Sequence, residues 1–171
     1  SSGKRYEKII NKYYKNIILK IFSRQDYRSK RFIKKIEEIK NFDPNLTIFS
    51  NPSTKRLKLF KILKNTKTNI LFEKPLTGNF SQSKLIKDNK KKIYKVGYNL
   101  KQHRILQKFK SILDSKKFGN IIYFSIHVSQ YLPNWRNADY ERTVSSKKTL
   151  GGGVLLELSH EIDYAIYLFG N

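Results

Sequence analysis

The chain has 171 residues, enough for one domain with a real core or for pieces of two. It has no cysteine, which excludes disulfides and thiolate metal sites and fits a reducing, cytoplasmic setting; no apolar run is long enough to span a membrane, and Ser1-Ser2-Gly3-Lys4 does not begin a signal peptide. The formal charge of +23 would ordinarily suggest a polyanionic partner. The excess is spread along the whole chain, however, and accompanies abundant Ile, Asn, Tyr and Phe, which share A/T-rich codons with Lys. Compositional drift accounts for it, so nucleic acid is not the expected partner.

In chain order, Lys4 to about Lys15 reads as a helix with Tyr6, Ile9, Ile10, Tyr13 and Tyr14 on one face. The apolar run from Asn16 to Phe22 reads as a strand ending at Ser23-Arg24. Ser29 to Lys40 returns to helical spacing through Phe32, Ile33, Ile36 and Ile39. Leu46 to Phe49 is a short strand stopped by Asn51-Pro52, and Ser53 to Lys64 is a helix with a Ser/Thr start. Asn69-Ile70-Leu71-Phe72 is a buried parallel strand closed by Glu73-Lys74-Pro75, since proline has no N–H to continue the ladder. A weaker helix near Ser81 to Lys90 leads to a strand at Ile93 to Gly97. Strands separated by helices of ten or so residues predict βαβ units.

After Asn99 the pattern changes. A helix is expected from Gln102 to Ser115, then an alternating strand from Ile121 to Val128 and an aromatic, polar loop from Tyr131 to Tyr140. Gly151-Gly152-Gly153 opens a long helix to Phe169, and the run suggests close backbone approach to a ligand or another strand. The expected fold is α/β: a Rossmann-like doubly wound parallel sheet over 1–99, followed by the beginning of an α+β, open-sheet C-terminal domain over 100–171.

Gly3-Lys4, Ser23-Arg24, Asn51-Pro52-Ser53, Glu73-Lys74 and Gly97-Tyr98-Asn99 each fall at a strand's C-terminal end or a helix start. In a doubly wound sheet these points line one crevice, and helix starts there offer free N–H groups to phosphates. Taken singly, each is ordinary turn chemistry. In the C-terminal helix, Leu155, Leu158, Ile162, Ala165, Ile166 and Phe169 share one face, and His160 and Asp163 lie opposite, beside Glu157, Tyr164 and Tyr167. A histidine oriented by a carboxylate is a competent general base near neutral pH; a structural His–Asp pair is the plainer alternative.

Glu73-Lys74-Pro75, Val96-Gly97-Tyr98-Asn99 and the stretch from Gly151 to Asp163 resemble the Gfo/Idh/MocA oxidoreductases, NAD(P)-dependent enzymes with an N-terminal Rossmann domain and a C-terminal domain on a large open sheet. The resemblance implies that Lys74 contacts substrate and nicotinamide and that His160 is the acid/base. The family's usual aspartate, four residues before that histidine, is Leu156 here; of the nearby carboxylates, Glu157 and Asp163, helical geometry favours Asp163. The glycine-rich loop of the family is represented only by Ser1-Ser2-Gly3. The second strand ends in Ser23-Arg24 instead of an acid, which suits a 2′-phosphate and leans toward NADP, with NAD left open. The family's C-terminal sheet needs residues beyond Gly170, and methionine is absent even at position 1, so the chain reads as an internal piece of such an enzyme.

The implied reaction is hydride transfer between NAD(P) and a secondary alcohol or ketone of a sugar, cyclitol or sugar nucleotide. Lys74, His160 and Asp163 are the expected catalytic residues. Gly3, Lys4, Ser23, Arg24, Asn51, Pro52, Ser53, Glu73, Lys74 and Asn99 are expected at the cofactor, and Tyr98, Trp135, Arg136 and His160 at the substrate. No metal is expected, and the full-length protein is expected to be a homo-oligomer. The alternatives are a basic, non-catalytic binding module and a piece that is itself inactive.

Overall fold

A computed structural model describes residues 2–23, 31–86, 91–135 and 139–170. Helix α1 (Ser2–Tyr13) leads to two short parallel strands, β1 (Ile21–Phe22) and β2 (Phe32–Ile33), and to α2 (Ile36–Phe42). A three-stranded parallel sheet follows in the order β3 (Leu46–Phe49), β4 (Asn69–Phe72), β5 (Tyr94–Val96). A 3₁₀ turn (Ser53–Lys55) runs into α3 (Arg56–Leu63) between β3 and β4, and the short α4 (Phe80–Ser83) lies between β4 and β5. The mixed α/β class with parallel strands is the one expected from the sequence.

The central strand β4 organises the core. Ile70 and Phe72 are buried on one face against Phe49, Phe60 and Leu63, with Ile33 and Ile39 completing the cluster. Phe72 meets Phe49 edge-on at 5.1 Å between ring centres. The ladder runs one step past each strand end, through Glu73 N–H to Phe49 O (2.9 Å) and Gly97 N–H to Phe72 O (2.7 Å). The residues that follow β3, β4 and β5 are thereby brought to one rim.

Beyond β5, α5 (Arg104–Asp114) packs on α8 (Ser159–Phe169); between them lie α6 (Leu132–Trp135) and α7 (Val154–Glu157). Here the structure departs from the sequence reading. Residues 121–128 form no strand: a ladder needs a neighbour, and among the described residues none pairs with them, so Ile122 and Tyr123 are exposed. Phe124 is instead held by stacking on Phe169, with ring centres 4.0 Å apart. The strand expected from Asn16 shrinks to Ile21–Phe22, because its partner β2 is only two residues long. Phe32 and Ile33, read as helical, supply that partner, and α2 starts later. The helix expected at 81–90 reaches only Ser83, and 87–90 lie outside the described residues.

The single C-terminal helix is two, broken at Leu158, whose ψ of 28° is not helical. The glycine run before it approaches the chain's own backbone. A Cβ on Gly151, where φ is +87°, would fall 2.0 Å from Ser53 Oγ, and one on Gly152 would fall 2.2 Å from Val144 O.

Candidate active site

Lys74 follows β4 directly, and its surroundings come from both halves of the chain. Glu73 is buried; its Oε1 accepts from Arg5 Nη2 on α1 at 2.8 Å, and its Oε2 accepts the Lys74 backbone N–H at 3.2 Å. The Lys74–Pro75 peptide is cis. The Lys74 ammonium donates to Glu157 O, and Glu157 Oε2 lies 4.0 Å away. The helix break makes that acceptor available. In a continuous helix, Glu157 O would take the Glu161 N–H; here that N–H turns to Leu158 O at 3.3 Å.

His160, in the first turn of α8, meets the Tyr98 ring edge-on, with centres 5.6 Å apart and an interplanar angle of 86°. Tyr98 stands just past β5, so two strand ends and one helix start meet at His160. Its pKa is lowered from the ordinary 6.5, first by burial and then by the Lys74 cation, while Glu161, Asp163 and Glu73 oppose the shift. The ring is therefore neutral at pH 7 and able to accept a proton. Because the folded pKa lies below the unfolded one, the group's contribution to stability is present above about 6.5 and is lost as pH falls from there through the folded value. Replacing Lys74 by methionine is expected to raise the His160 midpoint, because the cation goes while burial stays. An NMR titration of the three histidines reads this, and an unmoved midpoint would remove Lys74 from the electrostatics of the ring.

Asp163 does not bond to His160 Nδ1. Its Oδ1 accepts from Lys101 Nζ at 3.1 Å, while Asp163 Oδ2 and His160 Nδ1 are both buried without a hydrogen-bond partner among the described residues. The i, i+3 spacing puts the carboxylate near enough to act through its field, but the lysine at the start of the second half takes its hydrogen bond. Glu157, the other carboxylate near the helix start, faces Lys74.

Of the expected cofactor residues, Ser53 and Glu73 are buried and Asn51 is half-buried. Ser53 is buried under Gly151, and Asn51 Oδ1 is a buried acceptor with no donor among the described residues. Pro52 is half-buried at the same turn, Gly3 and Lys4 stand on the first turn of α1, and Ser23 follows β1. Asn99 is exposed beyond Tyr98, and Trp135 is half-buried at the end of α6. Arg24 and Arg136 lie outside the described residues. No group of three metal-ligating side chains occurs among the described residues.

Three contributors were not singled out from the sequence: Arg5, Lys101 and Arg56. Arg56 is 3% exposed; its Nε donates to Asn51 O at 3.0 Å and its Nη1 to the carbonyls of Glu73 and Pro75. A signal for it exists in the sequence, since Arg56 shares the inward spacing of Phe60 and Leu63 on α3.

The fold and this rim define an α/β protein with a lysine and a histidine gathered at the carboxyl edge of a parallel sheet. Residues 106–171 match the family model described as GFO/IDH/MocA C-terminal domain. Among solved structures, YPO2259 of Yersinia pestis, provisionally designated an oxidoreductase, aligns with a TM-score of 0.65 at 23% identity, over 85% of this chain and 41% of its own. The triclinic form of yhhX, designated a probable oxidoreductase, aligns at 0.60 and 20% identity, over 89% of this chain and 46% of its own. At such identities the likeness is one of fold, and this chain spans less than half of either protein. No curated protein matches the chain. No helix among the described residues is long and apolar enough to cross a membrane.

Proposed function

We propose that the protein carrying this chain is an oxidoreductase acting between a nicotinamide dinucleotide and a secondary alcohol or ketone of a sugar, cyclitol or sugar nucleotide. The observation that carries this reading is the gathering of Lys74, at a strand end, with a neutral His160 from the second half of the chain. A dinucleotide fits the rim on one further observation, the buried and unsatisfied Asn51 Oδ1, which can accept a ribose or amide donor. When bound, the nicotinamide supplies the hydride acceptor. Asn51, Pro52, Ser53, Glu73 and Asn99 would hold it from the strand ends, with Gly3, Lys4 and Ser23 toward its phosphates and adenosine.

In the oxidation direction His160 takes the hydroxyl proton while the carbinol C–H leaves as hydride, and the alcohol becomes a ketone. The Lys74 ammonium stabilises the negative charge that develops on that oxygen. Asp163 acts on His160 through its field, and Tyr98 and Trp135 shape the substrate end. The reading treats 1–99 and 100–171 as a nucleotide unit and a substrate unit, in a soluble protein that assembles into homo-oligomers when full length. Isothermal titration of NAD and NADP tests it, on this chain and on a longer form of the protein. Binding by the longer form that is lost in Asn51→Leu supports the proposal; no binding of either dinucleotide by that form removes it.

A further inference from the structure

Arg56 is one of the most buried charged side chains of the described residues, yet its hydrogen bonds run to main-chain carbonyls and to no carboxylate. Burial lowers its pKa to about 10, so it stays cationic at neutral pH at a cost in desolvation. The placement of its three acceptors accounts for the retention of such a group. Asn51 O lies just past β3, and the carbonyls of Glu73 and Pro75 stand on either side of Lys74. Nε and Nη1 point in different, fixed directions within one plane, so a single guanidinium joins the β3 turn to both flanks of Lys74. A lysine, with all its donors on one atom, cannot span the same acceptors.

We propose that Arg56 is the positioning residue for Lys74: by clamping the backbone before and after it, Arg56 aims the ammonium across the rim at Glu157 and His160. The role rests on the reading of Lys74 as the working lysine of the proposed oxidoreductase. Glu73 supports the same peptide from the other side, through its bond to the Lys74 N–H. Without the clamp, two carbonyls bracketing Lys74 lose their donor, and the turn is free to rotate the side chain away from His160.

The test has two arms. Lys74 is the cation acting on the His160 ring, with Glu161, Asp163 and Glu73 acting in the opposite sense. In Arg56→Met the His160 midpoint should therefore move upward, as in Lys74→Met, and the double variant should move it no further. This NMR arm needs no turnover. Arg56→Lys, which keeps the charge, serves if the methionine variant fails to fold and should also raise the midpoint. In the turning-over protein, Arg56→Met should lower kcat by roughly ten- to a hundredfold, the scale of a misplaced catalytic group, and should add nothing in a Lys74→Ala background. An unmoved midpoint in a folded Arg56 variant, or losses that multiply in the double variant, would overturn the positioning role. Normal turnover in Lys74→Ala would instead overturn the oxidoreductase reading and leave the NMR arm to decide the clamp.

Discussion

Lys74→Ala and His160→Ala are each expected to lower kcat by roughly 10²–10⁴ in the proposed nicotinamide-dependent oxidoreductase, the usual scale for a general acid–base group. The expectation follows from how the two side chains are held. Burial and the nearby ammonium keep the imidazole unprotonated at neutral pH, while the lysine is anchored to Glu157 across the same rim. In the proposed reaction, removing His160 would leave the hydroxyl proton without an acceptor, and removing Lys74 would leave the developing oxygen charge without a cation. The two losses should combine to less than their product, because the groups act on one oxygen. Steady-state kinetics on both single variants and the double variant read this. Near-normal turnover in both single variants would sink the mechanism.

Phe72→Ala is expected to destabilise the fold by about 3–5 kcal/mol, the range for emptying a buried aromatic site. Phe72 is 1% exposed and ends β4, which among the described residues is the one strand with partners on both sides. Its ring lies edge-on to Phe49 and 6.1 Å from Phe60, so truncation opens a cavity between sheet and helix that neither partner can fill. Leu71, half-buried on the opposite face, provides the comparison and should cost less. Urea unfolding measures both, and a Phe72 loss below about 1 kcal/mol would contradict the core assignment. Glu73 and Lys74 follow Phe72 directly, so the same substitution should also loosen the rim.

Lys74 was legible because its evidence is local: an apolar run, then charge, then proline. The edge of β4 and the adjacent turn follow from hydrophobicity and from the missing proline N–H. His160 was legible from helical spacing and from the family resemblance. Helical spacing favours Asp163 as its orienting group, and spacing cannot see Lys101, 62 residues away, which takes the Asp163 hydrogen bond. The strand expected at 121–128 failed for a related reason: alternation records a tendency to lie in a sheet, while a strand exists only where a neighbour completes the ladder.

By itself, then, the sequence determined the α/β class, the parallel β3–β4–β5 core, and the positions of Lys74 and His160, because these depend on periodicities within a dozen residues. The tertiary structure alone decided the rest. It split the last helix at Leu158 so that Glu157 O accepts from Lys74, and it closed Gly151 over Ser53. It also buried Arg56 against three carbonyls drawn from two separate turns. The first two join residues more than 80 positions apart, and Arg56 reaches carbonyls 5, 17 and 19 positions away on two separate turns; such choices are made only when the chain packs.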